Sequence, residues 1–579
     1  MYWKRLFSRK SLSMLNAELE AESQLHRVLG PVSLTSLGVG AIIGAGIFAM
    51  TGRVAANDAG PGVILCFALA GIACLFAALC YAEFASLVPV AGSAYTYTYA
   101  TLGEIFAWII GWDLILEYAM ASATVAAHWT DYLNQALKAI TGQELPQAIS
   151  ASPMVHENSY VNLPAILVIL FVTWILVIGI RQSALANTIL VVTKLAVVLF
   201  VVVLGCGYVS FANWTQVPVE RRKDVDLSDY LTRHSDVAAL VPSGFVSDQT
   251  SGGELLTRLP ELMDKLSPEQ VSHIRKLPDA NKKWGVLSLL GIRHLLDPID
   301  DAVRSNFLPY GFSGLMMGAA LVFFAFIGFD SISTHAEEAI HPQRDLPIAI
   351  LGSLFLCTIL YMLVSGVITG MEPYPEIDEG AAVAAAFLKQ AEIQGSSLLR
   401  AAAALIAVGA LAGMTSVLLV MSLSQTRIFL AMARDGLLPK QLFATVHEKY
   451  RTPYRSTILT GVVIALITGF FSVRMLEEMV NIGTLMAFMM VCIAVPILRL
   501  RHPDVPRPFR CPAIWFVAPM GILVNLSLML FLPLETWLRL VIWMGIGMVI
   551  YLGYGIHNSV MRKTDSTSST GNIASSTVS

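Results

Sequence analysis

Residues 321–347 read LVFFAFIGFDSISTHAEEAIHPQRDLP. The stretch opens as an apolar run fit for a lipid bilayer. Gly328 interrupts it near the middle and Asp330 follows two residues later. Glycine is among the poorest helix formers. A carboxylate inside a bilayer is costly unless it faces protein or a water path. A second apolar run is interrupted in the same way: Gly40–Phe48 reads GAIIGAGIF. Its Gly40-x-x-x-Gly44 spacing suits close packing of two membrane helices. Unwinding at Gly44-Ala45-Gly46 would instead bare backbone N–H groups at the positive end of a half-helix, a setting for a carboxylate. Interrupted helices at matching places in two halves of a chain point to a transporter with its binding site at the midplane. That pairing favours unwinding, although packing and unwinding can share the same glycines.

The rest of the chain agrees with a membrane setting. It is 55% hydrophobic and only 14% charged, where soluble domains carry about 25% charged residues. A net charge of -3 gives no reason to expect a nucleic-acid partner. About 20 apolar residues span a bilayer as a helix. Twelve such runs lie near 35–52, 61–88, 103–128, 161–180, 185–210, 312–335, 347–370, 397–430, 456–474, 478–498, 513–532 and 535–557. The reading is an all-α integral membrane protein with twelve transmembrane helices. Its segments are 1–34, 35–211 (spans one to five), 212–310 (an insertion), 311–558 (spans six to twelve) and 559–579, a Ser- and Thr-rich tail expected to be disordered. No secretory signal is expected, because the first apolar run begins late.

Lys and Arg in short loops set orientation. With the N-terminus in the cytoplasm, the loops on the opposite side carry only Arg53, Lys138, Lys389, Arg400 and Arg474, and most basic residues fall inside. Both termini are then cytoplasmic, in a multi-pass protein of the cell (inner) membrane. The insertion 212–310 lies outside. Its GELLTRLPELMDKLSPEQVSHIRKL has helical apolar spacing, and Ser267-Pro268-Glu269-Gln270 reads as a helix start. A small helical extracytoplasmic subdomain is expected, either a tolerated surface insertion or a lid or partner-binding element.

Several long stretches resemble one family. They are GVGAIIGAGIF in span one, YAEFASLVPVAGSAYTYTYATLGE after span two, GWDLILEYAMASATVA in span three, FFAFIGFDSISTHAEEAIHPQRDLPIAI in span six and GMTSVLLVMSLSQTRIFLAMARDGLLP in span eight. Together they resemble the amino acid–polyamine–organocation superfamily, and within it the cationic amino acid transporter family in its bacterial, twelve-span form. The resemblance covers the chain except 215–308 and the tail. It implies a five-plus-five inverted repeat with spans one and six broken around an L-amino acid. The substrate carboxylate would meet backbone N–H groups at Ile43, Gly44, Ala45 and Gly46. The ammonium would meet carbonyls near Phe324, Ala325 and Ile327. Phe324 resembles the ring that gates the occluded state, Glu117 an acidic position facing the substrate side chain, and Met414 a position limiting pocket size.

Lys194 is the only basic residue in span five, NTILVVTKLAVVLF. A lone ammonium there needs carbonyl partners or must snorkel to an interface. By resemblance it sits beside the broken part of span one, in the place of a sodium ion in sodium-coupled relatives. It is therefore read as the proton-coupling residue, with sodium disfavoured. Asp330 is assigned to the cytoplasmic gate. Asp113 lies one turn from Glu117. Glu337, Glu338, Arg344 and Asp345 are read as gate or anchoring charges, and Glu83 as structural. No His, Cys or carboxylate set has metal-ligand spacing, so neither metal nor cofactor is expected beyond the proton. The resulting expectation is a proton-coupled symporter importing L-amino acids. An exchanger and a sensor retaining the fold are the alternatives. No enzyme motif stands on an apolar span.

Overall fold

The computed structural model describes residues 8–10, 29–87, 93–155, 158–179, 184–242, 244–247, 249–450 and 452–561. Among them every element is helical, apart from two isolated bridges, Leu29 to Ala339 and Ser150 to Asn162. The principal helices, in chain order, are α1 (Pro31–Ile42), α2 (46–59), α3 (Val63–Leu87), α4 (Ser93–Thr101), α5 (Glu104–Thr141), α6 (Leu163–Ile178), α7 (Ala184–Gly205), α8 (Ala280–Leu289), α9 (Arg293–Val303), α10 (Gly311–Val322), α11 (Pro342–Met371), α12 (Ala382–Gln394), α13 (Ser397–Arg434), α14 (Tyr454–Phe470), α15 (Val473–Arg501), α16 (Ile514–Leu530) and α17 (Leu534–Ile550). Each of the twelve apolar runs coincides with one or more of them. Eight helical stretches among the described residues are long and apolar enough to cross a membrane, and α1, α6, α14 and α16 are shorter apolar helices. Large apolar side chains such as Phe355, Trp515, Phe516 and Val549 stand exposed on the outside of α11, α16 and α17. That is the surface a protein in lipid presents.

Local chemistry places the ends. Pro31 opens α1 at a position where its missing N–H costs nothing. The 38-residue α5 runs past the apolar run that ends near 128, and stops where Gly142 turns left-handed at φ 76°. At about 1.5 Å per residue, such a helix is far longer than a bilayer core needs. The same holds for α13, which packs along α5 at the centre of the molecule. Two helices were not expected from sequence, α4 and α12. The core is continuous through the bundle, from α1–α3 through α5 and α11 to α15.

Two helices break as anticipated, with one shift. After α1, Ile43 is extended (φ -73°, ψ 103°), and a wide π-type turn at Gly46–Met50 starts α2. The extended residue is therefore Ile43, ahead of the glycines rather than among them. Gly46 is needed for another reason: a Cβ there would lie 2.3 Å from the Ala325 Cα, so the two broken helices touch at this point. The pair Gly40 and Gly44 does not form one seam. Gly40 faces Val191 of α7, and Gly44 faces Val417 of α13. The second break follows α10: a 3₁₀ turn at Phe323–Phe326, then Ile327 at ψ 134° and Gly328 at φ 116°, then a 3₁₀ stretch Asp330–Glu338.

The 212–310 segment is helical, with its own small core around Leu227, Tyr230, Leu255, Leu262 and Ile274. Its helix Pro268–Lys276 begins at Ser267 with a reciprocal capping box to Gln270. The N-terminal residues 11–28, the tail from 562 and the side chains of Glu337 and Glu338 lie outside the described residues.

Candidate functional site

A helix that stops inside the bundle leaves its last carbonyls without intrahelical donors, and in a buried setting each must be met. At the end of α1 the partners come from other helices. Lys194 of α7 is buried, and its Nζ donates to the Gly40 carbonyl at 2.6 Å and the Ile43 carbonyl at 3.3 Å. The ammonium thus sits at the negative end of the α1 dipole. Tyr361 of α11 donates to the Ile42 carbonyl at 2.8 Å. The same hydroxyl lies 2.8 Å from the Ala325 carbonyl in the second break. Asn481 of α15 donates to the Leu321 carbonyl at the end of α10, at 3.1 Å. Within the break, the Ser331 hydroxyl closes on the Gly328 carbonyl at 2.5 Å.

Between the two breaks is a cavity of about 10 Å³, close to the room one water needs. Its walls are Ala41, Ile42, Gly44, Ala45 and Gly46 from the first break and Phe324 and Ile327 from the second. Ala121 and Val125 of α5 and Val417 and Met421 of α13 complete it. No charged side chain is among them. The α2 N-terminus points no side-chain cap at its own N–H groups: Ala45 precedes it without one. Of the expected substrate residues, Gly44, Ala45, Gly46, Phe324 and Ile327 line this space. Ile43 and Ala325 are not among its walls, though each is next in sequence to residues that are. Glu117 is on the stripe of α5 that carries Ala121 and Val125, one turn short of them. Met414 is buried on the stripe of α13 that carries Val417 and Met421, again one turn short.

Glu117, Asp113 and Asp330 form a buried acidic group beside the second break. Tyr118 donates to Asp330 Oδ2 at 2.5 Å. Among the described residues neither oxygen of Asp113 has a hydrogen-bond partner, and Glu117 lies by the Thr484 hydroxyl of α15. Asp113 lies against Gly483 of α15, where a Cβ would be 2.9 Å from its Oδ1. Glu83 has the structural role expected of it. It accepts from the Arg499 guanidinium at 2.5 and 3.0 Å and from the Cys511 N–H at 2.8 Å, fixing α3 to the end of α15. Asp345 accepts from the His341 N–H at the start of α11.

Sequence reasoning missed two features. Tyr361 is one; its signal is a polar tip in the middle of CTILYMLVSG, because a buried Tyr hydroxyl needs a partner. The other is a network at the end of the bundle that carries the insertion. Arg53 of α2 pairs with Glu477 of α15, both buried. Glu477 also meets His128 Nε2 of α5 at 2.7 Å, and His128 Nδ1 lies 3.2 Å from Asp131. An acidic pair inside an apolar helix, LEEMV in α15, was the available sign.

Comparison with known proteins gives a consistent picture. The amino acid permease family model matches residues 29–247 and 285–554. The methylthioribose transporter of Bacillus subtilis is 36% identical over 560 residues, covering 96% of this chain and 99% of that protein. The branched-chain amino acid permease BcaP of Bacillus subtilis is 37% identical over 563 residues, with the same coverages. The vacuolar cationic amino acid transporter 2 of Arabidopsis thaliana is 35% identical over 506 residues, covering 87% of this chain and 64% of that protein. All three are transporters or permeases rather than enzymes.

Proposed function

This chain belongs to the amino acid permease family, and from that premise we propose that it is a secondary active transporter importing an L-amino acid in symport with protons. In this reading the twelve apolar segments all span the membrane, in two inverted five-helix halves plus two further spans. Both termini are cytoplasmic and the insertion is outside. The substrate carboxylate docks on the first N–H groups of α2, where the helix dipole favours an anion. The ammonium docks on carbonyls of the second break. Alternating access follows from movement of the half-helices about the cavity.

The observation that carries the reading is Lys194 on the Gly40 and Ile43 carbonyls. A lysine that holds the broken end of α1 ties any change in its own protonation to the geometry of the substrate site. This coupling by proton leaves no role for sodium at the same place. Phe324 and Asp330 gate the site, Phe324 at the cavity wall and Asp330 through its bond to Tyr118 on α5. Widening of the cavity by one helical turn brings in Glu117 on one helix and Met414 on another.

The uncharged lining favours a neutral, apolar side chain over a cationic one. BcaP, at 37% identity over nearly the whole chain, is named for branched-chain amino acids. Uptake into proteoliposomes in sodium-free buffer, with and without an inward proton gradient, tests both points. The panel includes leucine, valine, alanine, arginine and methylthioribose. Gradient-driven uptake of branched-chain amino acids, lost in Lys194→Ala, is expected. A sodium requirement or uptake only against internal amino acid would overturn the coupling. Uptake of methylthioribose alone would overturn the substrate class.

A further inference from the structure

The insertion does more than occupy the surface: it grips the last turn of α2. Three successive residues there each have a partner in it. Tyr310 donates to the Ala56 carbonyl at 2.9 Å, Lys223 to Asn57 Oδ1 at 2.9 Å, and Lys283 Nζ lies 2.8 Å from Asp58 Oδ1. The Asp58 side chain is 2% exposed and that of Lys283 16%, so this last pair is shielded from water. The insertion is in turn fastened to two loops that α2 does not belong to. Lys223 also pairs with Glu379 at 2.6 Å, and Arg221 with Glu376 at 2.9 Å, both between α11 and α12. Lys282 pairs with Glu535 at the start of α17 at 2.8 Å. Gly285, at φ 56°, passes so close to the α16–α17 connection that a Cβ would be 2.2 Å from the Leu532 carbonyl oxygen.

The parts between these anchors are bonded to one another and to α10. Trp284 donates to Asp226 at 2.9 Å and carries the Arg293 guanidinium 4.5 Å above its ring. Asp300 of α9 accepts from the Ser313 N–H at 2.6 Å, in the first turn of α10. Lys282, Lys283 and Trp284 all fall in residues 248–284, the stretch at which the family match is interrupted. The fastening of α2 through Lys283 thus comes from a part of the chain that the family pattern does not include.

We propose that the insertion is a strap on the half-helix α2, and that Lys283, with Lys223 in support, sets how readily that half-helix swings open at the insertion-bearing end. The inference rests on the alternating-access reading, in which α2 moves. Opening then has to part a shielded ion pair or carry the insertion along with α2. A shielded carboxylate left without its cation is unfavourable, so the strap resists opening. Lys283 is a positioning residue: it does not touch the cavity.

The test uses the full-length protein in proteoliposomes with Cys206, the exposed native cysteine, changed to Ser. Val125→Cys then reports on the cavity wall through its labelling by a membrane-impermeant maleimide. In the otherwise wild-type protein, labelling should respond to saturating leucine. Lys283→Met should label at least threefold faster and, measured with Val125 in place, shift the KM for uptake by a similar factor with a smaller change in kcat. Lys283→Arg should return both towards wild type. Lys223→Ala, which removes a half-exposed ion pair, should move both readouts in the same direction by less. Unchanged labelling and KM in Lys283→Met and Lys223→Ala, with the leucine response intact, would overturn the strap alone. Loss of the leucine response in a parent that still takes up leucine would remove alternating access, and the strap with it.

Discussion

Both breaks leave the helix in an ordinary conformation, Ile43 at φ -73° and Ile327 at φ -59°, but only the second goes on through a glycine, Gly328, at φ 116°, which side chains rarely enter. The first interruption is therefore not imposed by its own backbone. It persists because side chains from elsewhere take up the freed carbonyls: Lys194 from α7 and Tyr361 from α11. The second has its turn set by one glycine and closed locally by Ser331 and the 3₁₀ turns, while Asn481, Tyr361 and Tyr118 bond its flanks from other helices. A break held by distant partners can be made or released by changing those partners. A turn set by a glycine's own backbone is not released that way, whatever bonds its flanks make. The first is the place for control and the second the place for a fixed platform.

The sharpest way to break this comparison is Lys194→Met, which keeps the length and removes the donor. Two buried carbonyls then lose their partner at about 1–3 kcal/mol each, and gradient-driven uptake should fall to background. Retained uptake would mean that the first break needs no external hold. Gly328→Ala should come next. Forcing a side chain into that conformation costs about 1–3 kcal/mol, to be read as a lower unfolding temperature in detergent together with reduced uptake. Gly46→Ala follows, because the new methyl meets backbone at Ala325, and overpacking of this kind costs about 1–3 kcal/mol. Gly40→Ala meets only the Val191 side chain and should cost less. Equal losses from the two would return the glycines to a simple packing role. Tyr361→Phe, at about 1 kcal/mol for a lost neutral hydrogen bond, should lower the thermal midpoint modestly and raise KM. The smallest effect separates two methionines. Met421→Ala, at the cavity wall, should alter the ranking of substrates in a competition assay, and Met414→Ala, which the site meets only on widening, should alter it less.

Much of the architecture could be read from residues alone because apolar length is a direct requirement of the bilayer. Lys194 was readable for a similar reason: an ammonium alone in an apolar run must find acceptors, and a broken helix supplies them. What escaped followed from packing. SAYTYTYAT, in α4, is rich in residues that favour strands, yet it is helical. Its tyrosines are claimed by neighbours: Tyr95 donates to Asp435 at 2.6 Å, Tyr99 donates to Glu104 at 2.8 Å, and Tyr97 stacks on Phe84. Propensity places the first break on the glycines, but the requirement at Gly46 is closeness to Ala325. Glu117 and Met414 are on the expected helix faces, and periodicity carries no information on which turn of a face reaches the cavity. The Arg53–Glu477–His128 network joins three helices far apart in sequence, so no local pattern could assemble it.

The Tyr361 hydroxyl carries a single hydrogen, yet two carbonyls, Ile42 and Ala325, lie 2.8 Å from its oxygen on two different interrupted helices. At any instant this hydroxyl serves one of them. Rotation about one C–O bond decides which of the two broken helices receives this hydrogen. An ammonium group brings three donors to the same place. In the proposed reading, a substrate ammonium docked there would let both carbonyls be bonded at once.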